Sequence, residues 1–457
     1  MIFSSITFLY YFLPWVLLIY FAVPKKFKNL VILLSSLLFY AWGEPKIVFV
    51  MIATISVSYI LGRLTEKYPQ NKKLFLWIAV ALSLGSLGYF KYADFFIENI
   101  NVVTGLSMPV LKIALPVGIS FYTFQVLSYN IDVYRGTVKA QKSFVNLAAY
   151  ITMFPQLIAG PIVRYQDVEA QLADRTFTSE KMLCGIRRFV YGLAKKVLIA
   201  NILGEVCSAY GAATETSVLF VWMYAVAFAL QIYFDFSAYS DMAIGLGKVL
   251  GFDFMENFNY PYISKSITEF WRRWHISLGS WFRDYVYIPL GGSRVATGRM
   301  YFNILMVWML TGLWHGAAWN FVIWGLYFAV FLVVEKTFLL KKLEKSAVLS
   351  HIYVLLAAII SFVIFNAPSM SSALGDIKAM FGMGGIPLVS AEAIYYLKSY
   401  ALVFVLAFIG TTPIMKNVCS RIKASEVVET VVLIVLLVVV TAYLIDGSFN
   451  PFLYFRF

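Results

Sequence analysis

Charge is scarce in this 457-residue chain: Asp, Glu, Lys and Arg together supply 13% of it, where a water-soluble globule carries roughly a quarter. Hydrophobic residues make up 61%, and the mean hydropathy is +0.78. The solvent these side chains call for is a bilayer. Other absences exclude whole classes of chemistry. The three cysteines, Cys184, Cys207 and Cys419, lack metal-ligand spacing and sit in or beside apolar segments, which reads as buried small side chains. There is no HExxH, no CxxC and no glycine-rich phosphate loop after a strand, so no metal or nucleotide site is read. A serine elbow of GxSxG type is missing as well. Heptads, internal repeats and low-complexity tracts are absent, and the two halves show no matching pair of interrupted helices, which would have favoured a transporter. Nor does any polar block reach the length of a separate soluble domain, so residues 1–457 read as one membrane domain.

What the chain does have is a run of apolar segments with basic punctuation. The net charge of +13 falls in short clusters between them and not in one stripe, a pattern of membrane topology that argues against nucleic-acid binding. The first stretch, Ile2 to Val23, is followed by Lys25, Lys26 and Lys28 instead of a small-residue cleavage site, so it reads as a retained span. Runs near the required length of about 20 residues follow at 29–43, 46–62, 74–90, 113–131, 185–205, 217–236, 300–313, 317–335, 348–367, 394–412 and 427–445. With basic flanks inside, this makes roughly twelve crossings and places both termini outside. Residues 91–112 read as an outer connection with a short amphipathic helix. Residues 144–163, broken by Pro155, Gly160 and Pro161, read as a re-entrant segment that protein must bury. The polar, aromatic and basic stretch 253–299 reads as the longest cytoplasmic insertion, with an interfacial helix pair.

The protein has only three histidines, and His315 is the most telling of them. It sits near the turn of a hairpin between Arg299 and Lys336, where an ionisable group is costly and usually lines a cavity. Gly312 and Gly316 permit close approach of another backbone, and Trp314 and Trp319 can wall the site. An imidazole, with its ordinary pKa near about 6.5, suits general-base work such as deprotonating an alcohol. A structural histidine bonded between helices is the alternative. His275 lies in FWRRWHISL, and Arg272, Arg273 and Arg283 around it match phosphate oxygens, or else serve positive-inside topology. His351 opens a span and reads as structural. Asp235 and Asp241 stand ready to pair with an arginine or orient an imidazole.

The strings FYAWGEP at 39–45, LPVGISFYTFQVLSYNIDVYRG at 115–136, MFPQLIAGPIVR at 153–164, DFSAYSDMAIGLGKVLGF at 235–252, FWRRWHISLGSWFRDYVYIPLGG at 270–292 and GLWHGAAWNF at 312–321 resemble the bacterial membrane-bound O-acyltransferases. The branch they are most similar to is the alginate and peptidoglycan O-acetylation transmembrane subunits, with the teichoic-acid D-alanyl transfer proteins more distant. The resemblance implies an all-α polytopic fold, a ring of about eleven to thirteen spanning or re-entrant helices around a thin central funnel. It implies that His315 is catalytic, with His275 as the second characteristic histidine. It implies an acyl thioester donor from the cytoplasm, either acetyl-CoA or the phosphopantetheine of an acyl carrier protein, with Arg272, Arg273 and Arg283 drawing its phosphates. A hydroxyl of a cell-envelope polysaccharide is the implied acceptor, and a separate esterase-like transferase outside the bacterial cell membrane is the implied partner. The tail DGSFNPFLYFRF, residues 446–457, is too apolar to stay in water; related systems use a C-terminal aromatic motif as a transient acyl carrier, and Tyr454 corresponds. The alternative for Tyr454 is an interfacial anchor. For the protein as a whole, D-alanyl transfer to teichoic acid, a proton pathway through His315 and a membrane scaffold stand as rivals.

Overall fold

Helices form wherever the apolar runs continue without proline, and among the described residues no strand occurs. The computed structural model describes residues 1–421, 426–447, 450, 452 and 453. Among the described residues, seven helices are long and apolar enough to cross a membrane: Val48–Lys67, Pro69–Thr104, Val218–Val249, Trp319–Leu343, Ala347–Asn366, Ala391–Gly410 and Glu426–Ile445. The protein is a multi-pass membrane protein. Several of the other expected spans are shorter helices. Lys28–Ala41, for example, has 14 residues, which at 1.5 Å each rise about 21 Å against a hydrocarbon core of about 30 Å.

The chain divides into two compact units, Met1–Phe189 with Ser240–Met255, and Val190–Tyr239 with Glu256–Phe457. In the first, Val48–Lys67, Lys72–Leu87 and Ile119–Arg135 pack side by side, pinned by a buried hydrogen bond from Asn130 Nδ2 to Ser58 Oγ of 2.7 Å. The short helix expected within residues 91–112 is present as Ala93–Thr104, but it runs on from the preceding span through a π turn at Gly88–Tyr92, since no proline intervenes before Pro109. The broken stretch 144–163 folds as Phe144–Thr152 and a short turn Phe154–Leu157, almost wholly buried. Its interrupted backbone finds partners inside the protein, as such a break requires: Phe154 N–H donates to Ser36 Oγ at 3.0 Å, and the Tyr150 hydroxyl to the Val163 carbonyl at 3.0 Å.

In the second unit, the Val218–Val249 helix begins and overruns the span expected at 217–236, because nothing in its sequence stops it before Gly251. The helices Thr297–His315 and Trp319–Val334 form the expected hairpin. Two short helices precede it, Ile267–Arg273 and Ile276–Phe282. They are the helix pair expected in the 253–299 stretch, but their apolar faces are buried in protein: Phe270, Leu278, Trp281 and Phe282 are all core residues. Glu335, itself buried, holds the first of them at its start. Its carboxylate accepts from Ile267 N at 2.6 Å, Thr268 N at 2.9 Å, Thr268 Oγ1 at 2.6 Å and the Tyr353 hydroxyl at 3.1 Å. A carboxylate is favoured there because the leading N–H groups of a helix lack partners of their own.

Candidate active site

The two histidines that the sequence singled out come together in the second unit. His315 is the last residue of its helix and is 8% exposed. Three aromatic rings stand edge-on to its imidazole: Trp314 at 5.0 Å, Trp324 at 5.1 Å and Phe365 at 5.3 Å between centroids. His275 is 2% exposed and packs against Phe236 at 4.6 Å and against the same Trp314 at 5.8 Å. One tryptophan thus contacts both imidazoles. Burial pushes His275 well below the ordinary histidine range, and the proximity of His315 acts in the same direction. At neutral pH His275 is therefore an uncharged imidazole. Neither of its ring nitrogens has a protein hydrogen-bond partner among the described residues, and the same holds for the buried indole N–H of Trp324. Buried polar atoms without partners are uncommon and cluster where substrates bind.

The backbone at His275 is unusual too. It links the two short helices with φ 45° and ψ 53°, the left-handed region that side chains rarely adopt. Buried Asn257 holds this corner: its carbonyl accepts from Ile276 N at 3.0 Å, and its Oδ1 from Ser277 N at 3.2 Å and Ser277 Oγ at 2.9 Å.

A cavity of about 610 Å³ opens beside His275, with Arg272, Arg283 and Lys336 among its lining residues. The three arginines proposed from sequence separate here. Arg272 lines the cavity and is exposed. Arg273 is committed elsewhere, to Glu269 at 2.9 Å and the Asn259 carbonyl at 3.1 Å. Arg283 lines the cavity with its charge engaged by Asp284 at 2.6 and 3.1 Å. Lys336, read from sequence only as a topological flank, joins them on the cavity wall. Its contribution was hidden because the turn of chain that brings it there is tertiary. The acidic residues of the 235–252 motif also resolve: Asp235 pairs with Lys196 at 2.7 Å, and Asp241 with Arg188 at 2.9 Å. Lys196, a lysine inside an apolar run, was the sequence signal for the first pair. Tyr454 lies outside the described residues. Just before it, Phe452 and Leu453 are buried in the second unit.

Known proteins resemble this chain over most of its length. The chain is 42% identical over 392 residues to the protein named "Probable alginate O-acetylase AlgI" from Azotobacter vinelandii, covering 84% of this chain and 79% of that one. It is 38% identical over 485 residues to a protein of the same name from Pseudomonas putida, with full coverage of both. A "Peptidoglycan O-acetyltransferase" from Helicobacter pylori is 33% identical over 438 residues, covering 87% of this chain and 83% of that one. The model of the membrane-bound O-acyltransferase family matches residues 138–372, which include both histidines, Arg272, Arg283, Lys336 and the Asp235 pair. The chain belongs to the membrane-bound O-acyltransferase family.

Proposed function

We propose that this protein transfers an acetyl group from a cytoplasmic thioester, acetyl-CoA or an acyl carrier protein, to a hydroxyl of a cell-envelope polysaccharide, with His315 as general base. The pair of buried imidazoles that share contact with Trp314 carries the reading. His315 removes the proton of the attacking hydroxyl, a C–O bond forms at the thioester carbonyl, the C–S bond breaks, and the thiolate leaves and takes up a proton. His275, neutral and with neither ring nitrogen engaged by a described residue, stabilises the reacting group by hydrogen bonding. The donor enters through the cavity of Arg272, Arg283 and Lys336, whose cations meet its phosphates.

Tyr454 is the first hydroxyl acylated. Its acetyl ester then passes to the polysaccharide on an esterase-like transferase outside the cell membrane, and both termini face that side. Residues 1–457 act as one functional domain, since the family match at 138–372 takes in residues of both compact units.

Two measurements address these parts. Arg272→Gln with Lys336→Gln is expected to raise the KM for acetyl-CoA about tenfold per lost charged hydrogen bond while kcat holds, and the rise should shrink at high salt. An unchanged KM removes the cavity from the donor path. For the relay, enzyme quenched with acetyl-labelled donor should carry the label on its C-terminal peptide. Full activity of Tyr454→Phe together with an unlabelled peptide would exclude a tyrosine ester.

A further inference from the structure

One buried ion pair in the unit of the two histidines takes no part in the chemistry above. Lys196 Nζ lies 2.7 Å from Asp235 Oδ1, with the two side chains 4% and 3% exposed. Charges so deeply buried are costly to keep unless they hold something in return. The other carboxylate oxygen of Asp235 accepts the backbone N–H of Leu453 at 2.9 Å. The pair thereby grips the main chain of the C-terminal segment, at the residue immediately before Tyr454.

Three further contacts secure the same stretch. Asn201 Nδ2 donates to Asn450 Oδ1 at 3.1 Å. The Phe452 ring packs on Tyr239 at 5.0 Å, and Tyr239 stands four residues after Asp235, hence on the same face of the Val218–Val249 helix. Leu453 is buried in the apolar core that also contains Trp324 and Phe365, two of the rings around His315. The helix residue next to Asp235 is Phe236, whose ring touches His275 at 4.6 Å. Consecutive residues of one helix thus hold the tail and contact a site histidine.

We propose that Lys196 and Asp235 form a seat for the C-terminal segment, making Asp235 a positioning residue that holds the main chain at Leu453, the residue before Tyr454. This role rests on the reading of Tyr454 as the acyl relay. A carboxylate suits the seat because its second oxygen stays free to accept a main-chain N–H after the first has taken the lysine. A main-chain grip also tolerates change in the side chains of the tail.

The test compares two doubly neutral variants of the full-length protein in detergent micelles. Lys196→Met with Asp235→Asn keeps an acceptor oxygen for Leu453, whereas Lys196→Met with Asp235→Leu removes it. Replacing both charges together avoids leaving one buried and unpaired, the change that would unfold the protein. Hydrogen exchange of the peptide spanning 446–457 reports the seat, and acetyl label on the same peptide after mixing with acetyl-CoA reports the relay. In the leucine variant the Leu453 amide is expected to exchange about tenfold faster or more, and the label to fall by about the same factor, at an unchanged melting temperature. The asparagine variant should stay within about threefold of the parent in both. Equal exchange in the parent and the leucine variant overturns the seat. So does a Leu453 amide in the parent that exchanges as fast as a free peptide, a result that needs no variant. Absence of label in the parent, with the exchange difference present, removes the relay and leaves the tail seated for another purpose.

Discussion

Replacing His315 with alanine is expected to lower acetyl transfer by about 10³-fold or more, the loss that follows when a general base is removed from the step it serves. The protein should stay folded, because two of the three rings that meet the imidazole edge-on stay packed without it: Trp324 on Phe365 at 5.2 Å, and Trp324 also on Phe328 at 5.3 Å. Donor binding should also persist, since the cavity residues Arg272, Arg283 and Lys336 are untouched. The discriminating measurement is therefore turnover of labelled acetyl by purified, monodisperse variant alongside acetyl-CoA binding. Wild-type turnover by that variant would show that His315 is structural, and a proton-pathway reading would regain its footing if acetyl transfer survived while proton flux fell.

Gly312→Ala is expected to cost substantial activity without touching a reacting group. A Cβ built on Gly312 would fall on the Phe321 carbonyl oxygen, and one on Gly325 on the Trp308 carbonyl oxygen. These are backbone atoms of the facing helix, so no side-chain rotation relieves the overlap. The hairpin of Thr297–His315 and Trp319–Val334 closes only because both positions lack a side chain, the small-residue contact that lets helices approach closely in a membrane. Forcing a methyl into that seam should destabilise the protein by about 1–3 kcal/mol. It should also shift His315, three residues along the same helix, for a loss of about 10²-fold in turnover if the displacement approaches 1 Å. Thermal melting and acetyl transfer measured together check this: a variant with wild-type melting and wild-type rate would mean that the hairpin can open at no cost to the site.

The hairpin and the two histidines were legible in the sequence because each depends on local pattern. His315 stood out as an ionisable group between apolar runs, and Gly312 and Gly316 as gaps that another backbone could enter. The Ile267–Arg273 and Ile276–Phe282 pair was legible as helices, but not its setting, because amphipathic aromatic helices look alike whether they face lipid or protein. The three arginines could not be told apart for a similar reason. Arg273 is paired with Glu269, one helical turn before it, and Arg283 keeps Asp284 beside it, while Lys336 joins the cavity wall from a helix more than fifty residues downstream. The partner of Asp235 was equally remote in the chain, at Lys196. Charge pairing across a fold leaves no periodic signal; periodicity records which face is apolar, not which lysine meets which carboxylate.

The left-handed backbone at His275 places a constraint on the family's history at that one position. Histidine, asparagine, aspartate and glycine tolerate such a conformation better than branched or bulky residues do. A lineage that lost the imidazole while keeping the corner would drift to asparagine or glycine sooner than to alanine, valine or leucine. The residue that replaces His275 in an inactive descendant would therefore say whether the chain kept its fold after giving up its chemistry, since a branched side chain there would mark the corner itself as rebuilt.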